Sequence, residues 1–230
     1  MTGGAFSIDD LKVFLPKTIT QLYGPAASGK TNICLLAAVE EAKKGNKVVF
    51  IDTEGSFSKE RITQLAGNDL KTVLSNIILA EPNDFDEQKI AINKLEELAG
   101  EGKASLIIID SLVSLYRLEM GGGDAYALNR EMGKLLAKLV KIGKKYNIPI
   151  LVSNQVYSSF EKGDAESKIT PVGRDLLRYW TKVIIALRKD ESCRVAVLER
   201  HKFKKEGGSV SFTINNHGIH ATAMKIREEE

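Results

Sequence analysis

The sequence predicts an α/β fold in which a mainly parallel, twisted β-sheet is flanked by helices and continues into a C-terminal antiparallel extension. Two observations predict it. Apolar strand-like runs alternate with segments of helical spacing between residues 18 and 154, the pattern of consecutive βαβ units. After that, three strand-like runs follow one another with only turn signals between them, at residues 182–188, 194–200 and 209–214. The 230 residues suffice for one such domain but hardly for two, so a single domain over residues 1–230 is expected.

The elements of the parallel part follow in order along the chain. Runs of apolar and β-branched residues predict buried strands at residues 18–23, 47–52, 76–80, 105–110 and 149–154. Apolar residues at helical spacing predict helices at residues 31–44, 58–66, 84–99, 125–146 and 173–179. Gly45 stands where the first helix should end, and Ser58 where the second should be capped. The glycine-rich residues 121–123 and the polar residues 156–171 are predicted to be loops.

Composition and charge narrow the class of protein. Hydrophobic residues make up 43% and charged residues 27% of the chain, which are globular values, and the net charge of +3 is too small to indicate nucleic-acid binding by itself. No apolar run approaches the roughly 18 residues of a membrane span, and no basic segment followed by an apolar stretch opens the chain. A cytoplasmic protein without membrane contact is therefore expected. Cys34 and Cys193 lack disulfide or zinc spacing, and Cys34 is expected to be a small core residue.

Residues 24–31, which lead from the first predicted strand into the first predicted helix, match the pattern G-x-x-x-x-G-K-[ST]. In such a loop, small residues let backbone N–H groups surround phosphates, the lysine reaches the β- and γ-phosphates, and the hydroxyl binds Mg²⁺. The setting between strand and helix makes a chance match a poor explanation. The sequence therefore predicts a nucleoside triphosphate site formed by Gly24, Pro25, Ala26, Ala27, Ser28, Gly29, Lys30, Thr31 and Asn32.

Two carboxylates and one amide are the candidates for chemistry at that site. Asp110 ends the apolar run LIIID, the Walker B pattern, and is predicted to hold the Mg²⁺ shell together with Thr31. Ser111 follows it, so the catalytic glutamate that directly follows Asp in some P-loop proteins is absent. Glu54 stands at the carboxyl end of the strand at 47–52, which follows the phosphate-loop helix, and ligands of open α/β sheets bind at such strand ends. Alone, it could also be a solvated turn carboxylate, and Gln155 could be an ordinary polar strand end.

Four segments together resemble the RecA-type recombinases, and within them the archaeal RadA and RadB branch. They are the phosphate loop and the runs IDTEGSFSKER at 51–61, DSLVSLYR at 110–117 and VSNQV at 152–156, in the family's order and spacing. The resemblance implies a RecA-like core that uses ATP and Mg²⁺. It also implies that Glu54 and Lys30 act in catalysis, with Glu54 orienting the attacking water. Arg61 would then stack on the adenine, and Gln155 would sense the γ-phosphate.

The chain departs from full recombinases at its amino end. About eighteen residues precede the first strand, too few for the helical DNA-binding domain that full recombinases carry there, and RadB proteins have this reduced form. The resemblance implies an accessory protein of homologous recombination and DNA repair that binds single-stranded DNA. It further implies that the main recombinase RadA and the Holliday-junction resolvase are partners, and that ATP hydrolysis is weak and DNA-dependent. A homo-oligomer is left open.

The DNA contact has several candidates. The family's DNA loops would correspond to residues 117–125 and 156–171, where the charges nearly cancel. A basic run with one aromatic residue follows the predicted strand at 194–200, and this combination suits single strands. It could equally be a solvated hairpin turn, or it could reach a neighbouring subunit's phosphates. Arg174 and Arg178 share a helix face and are a further candidate. The DNA-binding residues predicted here are Arg200, Lys202, Lys204 and Lys205.

Three other functions share parts of this pattern. A RecA-like ring motor of the helicase type would have the phosphate loop, Glu54 and the basic strand end, but would turn ATP over processively. A small-molecule kinase should offer arginines on a closing lid. A non-hydrolysing, ATP-dependent regulatory switch protein would use the nucleotide only to control partner binding. Measuring ATP hydrolysis with and without single-stranded DNA separates these alternatives.

Overall fold

The fold is that of a computed structural model, which describes residues 14–120, 124–158, 169–171, 174–190, 193–216 and 218–225. One sheet runs through the molecule. The strands within the described residues are β1 Ile19–Gly24, β2 Val48–Asp52, β3 Ile77–Ala80, β4 Leu106–Asp110, β5 Ile150–Ser158, β6 Ile169–Pro171, β7 Val183–Lys189, β8 Arg194–Arg200, β9 Ser209–Asn215 and β10 Gly218–Lys225.

The sheet has the strand order β10-β9-β8-β7-β1-β5-β4-β2-β3, with β6 paired to β5 off this path. The strands from β7 to β3 along this order are parallel to their neighbours. Strands β8, β9 and β10 continue the sheet from β7 as an antiparallel meander. This arrangement confirms the predicted parallel sheet with its antiparallel extension.

The helices that cover the sheet are α1 Lys30–Lys43, α2 Lys59–Ala66, α3 Leu70–Asn76, α4 Phe85–Gly100, α5 Ser114–Met120, α6 Ala125–Tyr146 and α7 Arg174–Trp180. Their ends follow local chemistry. Gly45, just past α1, has φ 83°, and its N–H donates to the Ala42 carbonyl at 3.0 Å, so a left-handed residue ends the helix as predicted. The Ser58 hydroxyl accepts the Arg61 N–H at 3.1 Å and caps α2.

Two cores lie on the two faces of the sheet. Strand β4 shows why: Leu106 and Ile108 belong to the core under α1, α2 and α3, whereas Ile107 and Ile109 belong to the core under α4, α5 and α6. All five residues of β4 are buried, as expected for a central parallel strand covered on both faces. Cys34 lies in the first core and is fully buried, which confirms its predicted place.

Several elements differ from the prediction. Residues 156–171 are not a loop throughout, because β5 runs on to Ser158 and Val156 pairs with Pro171 of β6. Helices α3 and α5 and strand β10 have no counterpart among the predicted elements. Helix α3 buries only Val73, so no apolar stripe marks it. The remaining boundaries agree with the prediction to within one or two residues. Across the described ranges, no helix is both long and apolar enough to span a membrane.

Candidate nucleotide site

The predicted site residues meet at one edge of the sheet, where the parallel strands end. Gly24 at the end of β1 is in register with Gln155 on β5, and Asp52 at the end of β2 is in register with Asp110 on β4. We call this the carboxyl edge. Open α/β sheets bind ligands outside the carboxyl ends of their strands, so the fold places the phosphate loop and both candidate carboxylates where a ligand would bind.

The phosphate loop fits tightly between β7 and β9. Gly29 has φ 102°, and a Cβ there would lie 3.0 Å from the Ile214 side chain. At Gly24 a Cβ would lie 2.5 Å from the Leu187 carbonyl oxygen, which no real side chain tolerates. Gly29 is also the residue before α1, so no side chain competes for the amides of the first helical turn. Those amides and the positive end of the helix dipole favour an anion.

Lys30 lies buried at the base of this loop. Its Nζ donates to the carbonyl oxygens of Gly24 and Pro25, both at 2.9 Å. Burial lowers the pKa of Lys30, and the nearby carboxylates of Asp110 and Glu54 oppose that shift. The loop therefore holds a buried cation at its base, next to two carboxylates.

Asp110 is buried, at 1% exposure, and is surrounded by hydroxyl donors. Ser153 Oγ donates to one carboxylate oxygen, and Ser56 Oγ lies 3.3 Å from the other. Burial raises the pKa of Asp110, the bonds from Ser153 and Thr31 lower it, and Glu54 and Asp52 raise it further. The two predicted metal residues, Thr31 and Asp110, therefore lie close to each other.

Asp52 shapes the turn that carries Glu54. Its carboxylate accepts the Glu54 N–H at 3.1 Å, the Phe57 N–H at 2.6 Å and the Ser56 hydroxyl at 3.1 Å. Neither Asp52 nor Ser153 was among the predicted site residues. The sequence signal that could have found them is a polar residue next to the end of an otherwise apolar strand, since a buried polar group needs a partner.

Glu54 and Gln155 contact each other. Gln155 Nε2 donates to Glu54 Oε2 at 2.8 Å, which joins the ends of β2 and β5 across the site. Both line a cavity of about 200 Å³ that Arg117 and Leu118 also border. A carboxylate at a water-accessible cavity can orient or polarise a water molecule, and an amide that holds the carboxylate fixes its direction.

Arg61 connects α2 to two other parts of the site. Its Nε donates to Asn32 Oδ1 at 2.9 Å, and its guanidinium donates to the backbone oxygens of Asn215 at 2.7 Å and Gly218 at 3.3 Å. Burial lowers the pKa of Arg61. The two predicted ligand residues, Asn32 and Arg61, are thus brought together beside the turn between β9 and β10.

Arg194, which the sequence-based prediction did not include, also reaches the loop. Its Nε donates to the Ala27 carbonyl at 3.2 Å, and its Cδ is 3.4 Å from where a Gly29 Cβ would be. Ala27 has φ 60°, an uncommon conformation for a residue with a side chain. The arginine therefore braces the strained part of the loop from β8.

The basic run at 200–205 lies at the other edge of the sheet. Strand β8 is antiparallel to β7, and Ile184 near the start of β7 pairs with Arg200. Because β1 has six residues and rises about 3.3 Å per residue, the two edges are about 20 Å apart. Lys202, Lys204 and Lys205 are exposed there. The structure thus brings the predicted nucleotide residues together, whereas the predicted DNA-binding residues lie at the opposite edge, away from them. Residues 121–123 and 159–168 of the candidate DNA loops lie outside the described residues.

The phosphate loop, the Walker B aspartate and a glutamate on the turn after β2 define a RecA-like P-loop core. Comparison with known proteins agrees. A sequence model of the Rad51 family matches residues 1–222. The chain belongs to the Rad51 family.

Individual relatives fall in one branch of that family. The "DNA repair and recombination protein RadB" of Methanosphaera stadtmanae is 44% identical over 204 residues, 87% of this chain and 86% of that protein. The protein of the same name from Methanococcus maripaludis strain C7 is 46% identical over 205 residues, 88% of this chain and 91% of that protein. A solved structure described as "Crystal structure of the RadB recombinase" superimposes with a TM-score of 0.76 at 38% identity, covering 94% of this chain and 96% of that one.

Proposed function

We propose that this protein is an ATP-binding accessory factor of homologous recombination and DNA repair that hydrolyses ATP weakly. The observation that carries the proposal is the contact between Glu54 and Gln155 at 2.8 Å, next to the Lys30, Thr31 and Asp110 cluster. The names of its RadB relatives support the biological role.

The residues at the carboxyl edge fit ATP and Mg²⁺. The loop exposes the amides of the first helical turn, Lys30 supplies a cation, and Thr31 and Asp110 offer the hydroxyl and carboxylate oxygens that Mg²⁺ prefers. Ser28 Oγ is buried and has no hydrogen-bond partner within the described residues, as expected of a loop shaped to take a ligand. Asn32 and Arg61 would contact the nucleoside, with Arg61 stacked on the adenine.

Hydrolysis would depend on Glu54. Its carboxylate would orient the attacking water, and Gln155, which holds it, would exchange that bond for the γ-phosphate. Since Gln155 lies on β5, which continues to the ladder with β6, a change at its side chain would be passed to residues 156–158.

A regulatory switch that does not hydrolyse ATP is the second candidate. The same bond favours it, because a glutamate engaged by Gln155 is not free to act on water until the bond changes. In both versions the protein would bind single-stranded DNA through the exposed lysines at 202, 204 and 205. In both it would act in the cytoplasm on the main recombinase RadA and on the Holliday-junction resolvase.

The test is ATP hydrolysis with and without single-stranded DNA, in the wild type and in Glu54→Gln. The variant should bind ATP as the wild type does and lose hydrolysis, because the carboxylate acts in the transition state. Glu97→Gln, an exposed glutamate on α4, is the matched control and should change nothing. Equal hydrolysis in wild type and Glu54→Gln would make the carboxylate structural. A wild type without turnover that still binds ATP would establish the switch.

A further inference from the structure

Thr53 stands between Asp52 and Glu54 on the turn that follows β2, and the sequence-based prediction gives it no role. Its side chain is half-buried and lines the cavity of about 200 Å³ that Glu54 and Gln155 also line. A polar side chain beside a candidate catalytic carboxylate can fix the direction of that carboxylate without touching the ligand itself.

The Thr53 hydroxyl makes three hydrogen bonds to residues that follow β4. It donates to the Ser111 carbonyl at 2.7 Å and accepts the Ser111 N–H at 2.9 Å. Because its one proton goes to that carbonyl, the bond of 2.5 Å to Ser114 Oγ is donated by Ser114. A hydroxyl has one proton and two acceptor positions, so the hydrogen-bonding capacity of Thr53 is fully used.

The backbone of Thr53 makes a fourth bond to the same region. Its N–H donates to the Asp110 carbonyl at 2.9 Å. Asp52 and Asp110 are in register at the ends of β2 and β4, so this bond lies one residue beyond the ladder. The turn after β2 is therefore bonded to the turn after β4 through both the backbone and the side chain of one residue.

The position of Glu54 depends on this attachment. Its side chain is exposed, and Gln155 Nε2 donates to its carboxylate at 2.8 Å. In the proposed reaction Gln155 exchanges that bond for the γ-phosphate, so the carboxylate loses this restraint. Its position is then set by the backbone of the turn, which the Asp52 carboxylate and the Thr53 hydroxyl hold.

We propose that Thr53 is a positioning residue for ATP hydrolysis, which holds Glu54 at a fixed distance from Asp110 so that the carboxylate faces the attacking water. The inference rests on the proposed function, because that function assigns the water to Glu54. The Thr53 hydroxyl has no proton left to donate to a ligand. Its loss should therefore leave ATP binding intact and slow the reaction, where a misplacement of about 1 Å can cost roughly a hundredfold.

The first test removes the hydroxyl and keeps the shape of the side chain. Thr53→Val should lower kcat at least about tenfold, while the Kd for a fluorescent ATP analogue stays within about twofold of the wild-type value. Thr53→Ser keeps the hydroxyl and should restore most of the turnover. Thr72→Val, at an exposed threonine on α3, is the matched control and should change neither quantity. Equal turnover of Thr53→Val and the wild type would overturn the proposal.

A second variant separates positioning from damage to the fold. Ser114→Ala removes one bond to the Thr53 hydroxyl and leaves the two bonds to Ser111. It should lower kcat less than Thr53→Val does, again at unchanged Kd. If Thr53→Val does not fold, unchanged turnover in Ser114→Ala decides against the proposal.

Aluminium fluoride keeps the test decisive if turnover is very slow. With ADP it imitates the transferring phosphoryl group and its attacking water, so it should raise ADP affinity in the wild type and in Thr53→Ser but not in Thr53→Val. A wild type that shows this gain without turnover would count against the proposed hydrolysis alone. A gain that is equal in Thr53→Val and the wild type would count against the role of Thr53 alone. A wild type that shows neither turnover nor gain would overturn both.

Discussion

Replacing Lys30 by methionine should change stability and nucleotide binding in opposite directions. Burial lowers the pKa of Lys30, which means that the charged form is less stable in the folded chain than in the unfolded one. That cost is present at pH values below the lowered pKa and disappears as the pH rises above the pKa of the unfolded chain. Methionine has a similar length and no charge, so Lys30→Met alone should melt no lower than the wild type at neutral pH, and any advantage should shrink in alkaline buffer.

The loss of ATP binding has a calculable size. Removing one charge-assisted contact should weaken affinity at least tenfold, about 1.4 kcal/mol. With ATP·Mg²⁺ at a hundred times the wild-type Kd, ligand stabilisation falls from about 2.7 to about 1.4 kcal/mol. For a chain of this size that loss removes about 3–5 °C from the ATP-induced rise in Tm.

The assay is thermal unfolding followed by circular dichroism, with and without ATP·Mg²⁺. Lys71→Met, an exposed lysine on α3, is the matched control and should keep the full ATP-induced shift. A Lys30→Met protein that keeps the wild-type shift would refute the assignment of the phosphate loop. A variant that melts well below the wild type without ligand would refute the electrostatic argument, because Lys30 would then stabilise the loop through its bonds to Gly24 and Pro25.

The remaining predictions concern three other places. Ser153→Ala removes a donor from the buried Asp110, so the Mg²⁺ needed for nucleotide binding should rise at least about tenfold, given about 1.5–3 kcal/mol for a bond to a charged group. Arg194→Ala should weaken ATP binding severalfold in a titration with a fluorescent analogue, with the exposed Arg188→Ala as control, because only Arg194 holds the Ala27 carbonyl. Replacing Lys202, Lys204 and Lys205 together by alanine should weaken single-strand binding. It should also lower the slope of log affinity against log salt concentration by up to about 2, at roughly 0.7 per phosphate. An unchanged slope with altered assembly would instead indicate a subunit interface.

The parallel sheet could be predicted from the sequence, and so could the meeting of most residues of the candidate nucleotide site. Its central strands are buried on both faces, so they form continuous apolar runs that are visible without a structure. Asp110 and Gln155 could be placed together because the carboxyl ends of parallel strands meet at one edge. The common direction of the parallel strands therefore allowed the proximity of residues far apart in sequence to be predicted.

The same reasoning failed for features that depend on tertiary pairing. Strand β6 has three residues and exists through its pairing with β5, so no local pattern marks it. The charge of Arg200 was visible, but its location was not, because the edge at which it lies depends on the antiparallel direction of β8. The role of Ser153 was hidden for a similar reason, since only the neighbouring strand supplies the carboxylate that it contacts.

The antiparallel extension does more than widen the sheet. At the carboxyl edge it forms a wall of the nucleotide site, through Arg194 on the phosphate loop and Ile214 against Gly29. At its other end the same strand, β8, finishes at Arg200, which donates to the Arg178 carbonyl at the C-terminal end of α7. Strand β8 is paired on both sides along most of its length, so it is held in one arrangement. Coupling between two sites requires an element that can adopt two arrangements. We therefore expect any nucleotide-dependent change in DNA affinity to pass through Gln155 and the β5–β6 ladder rather than through β8.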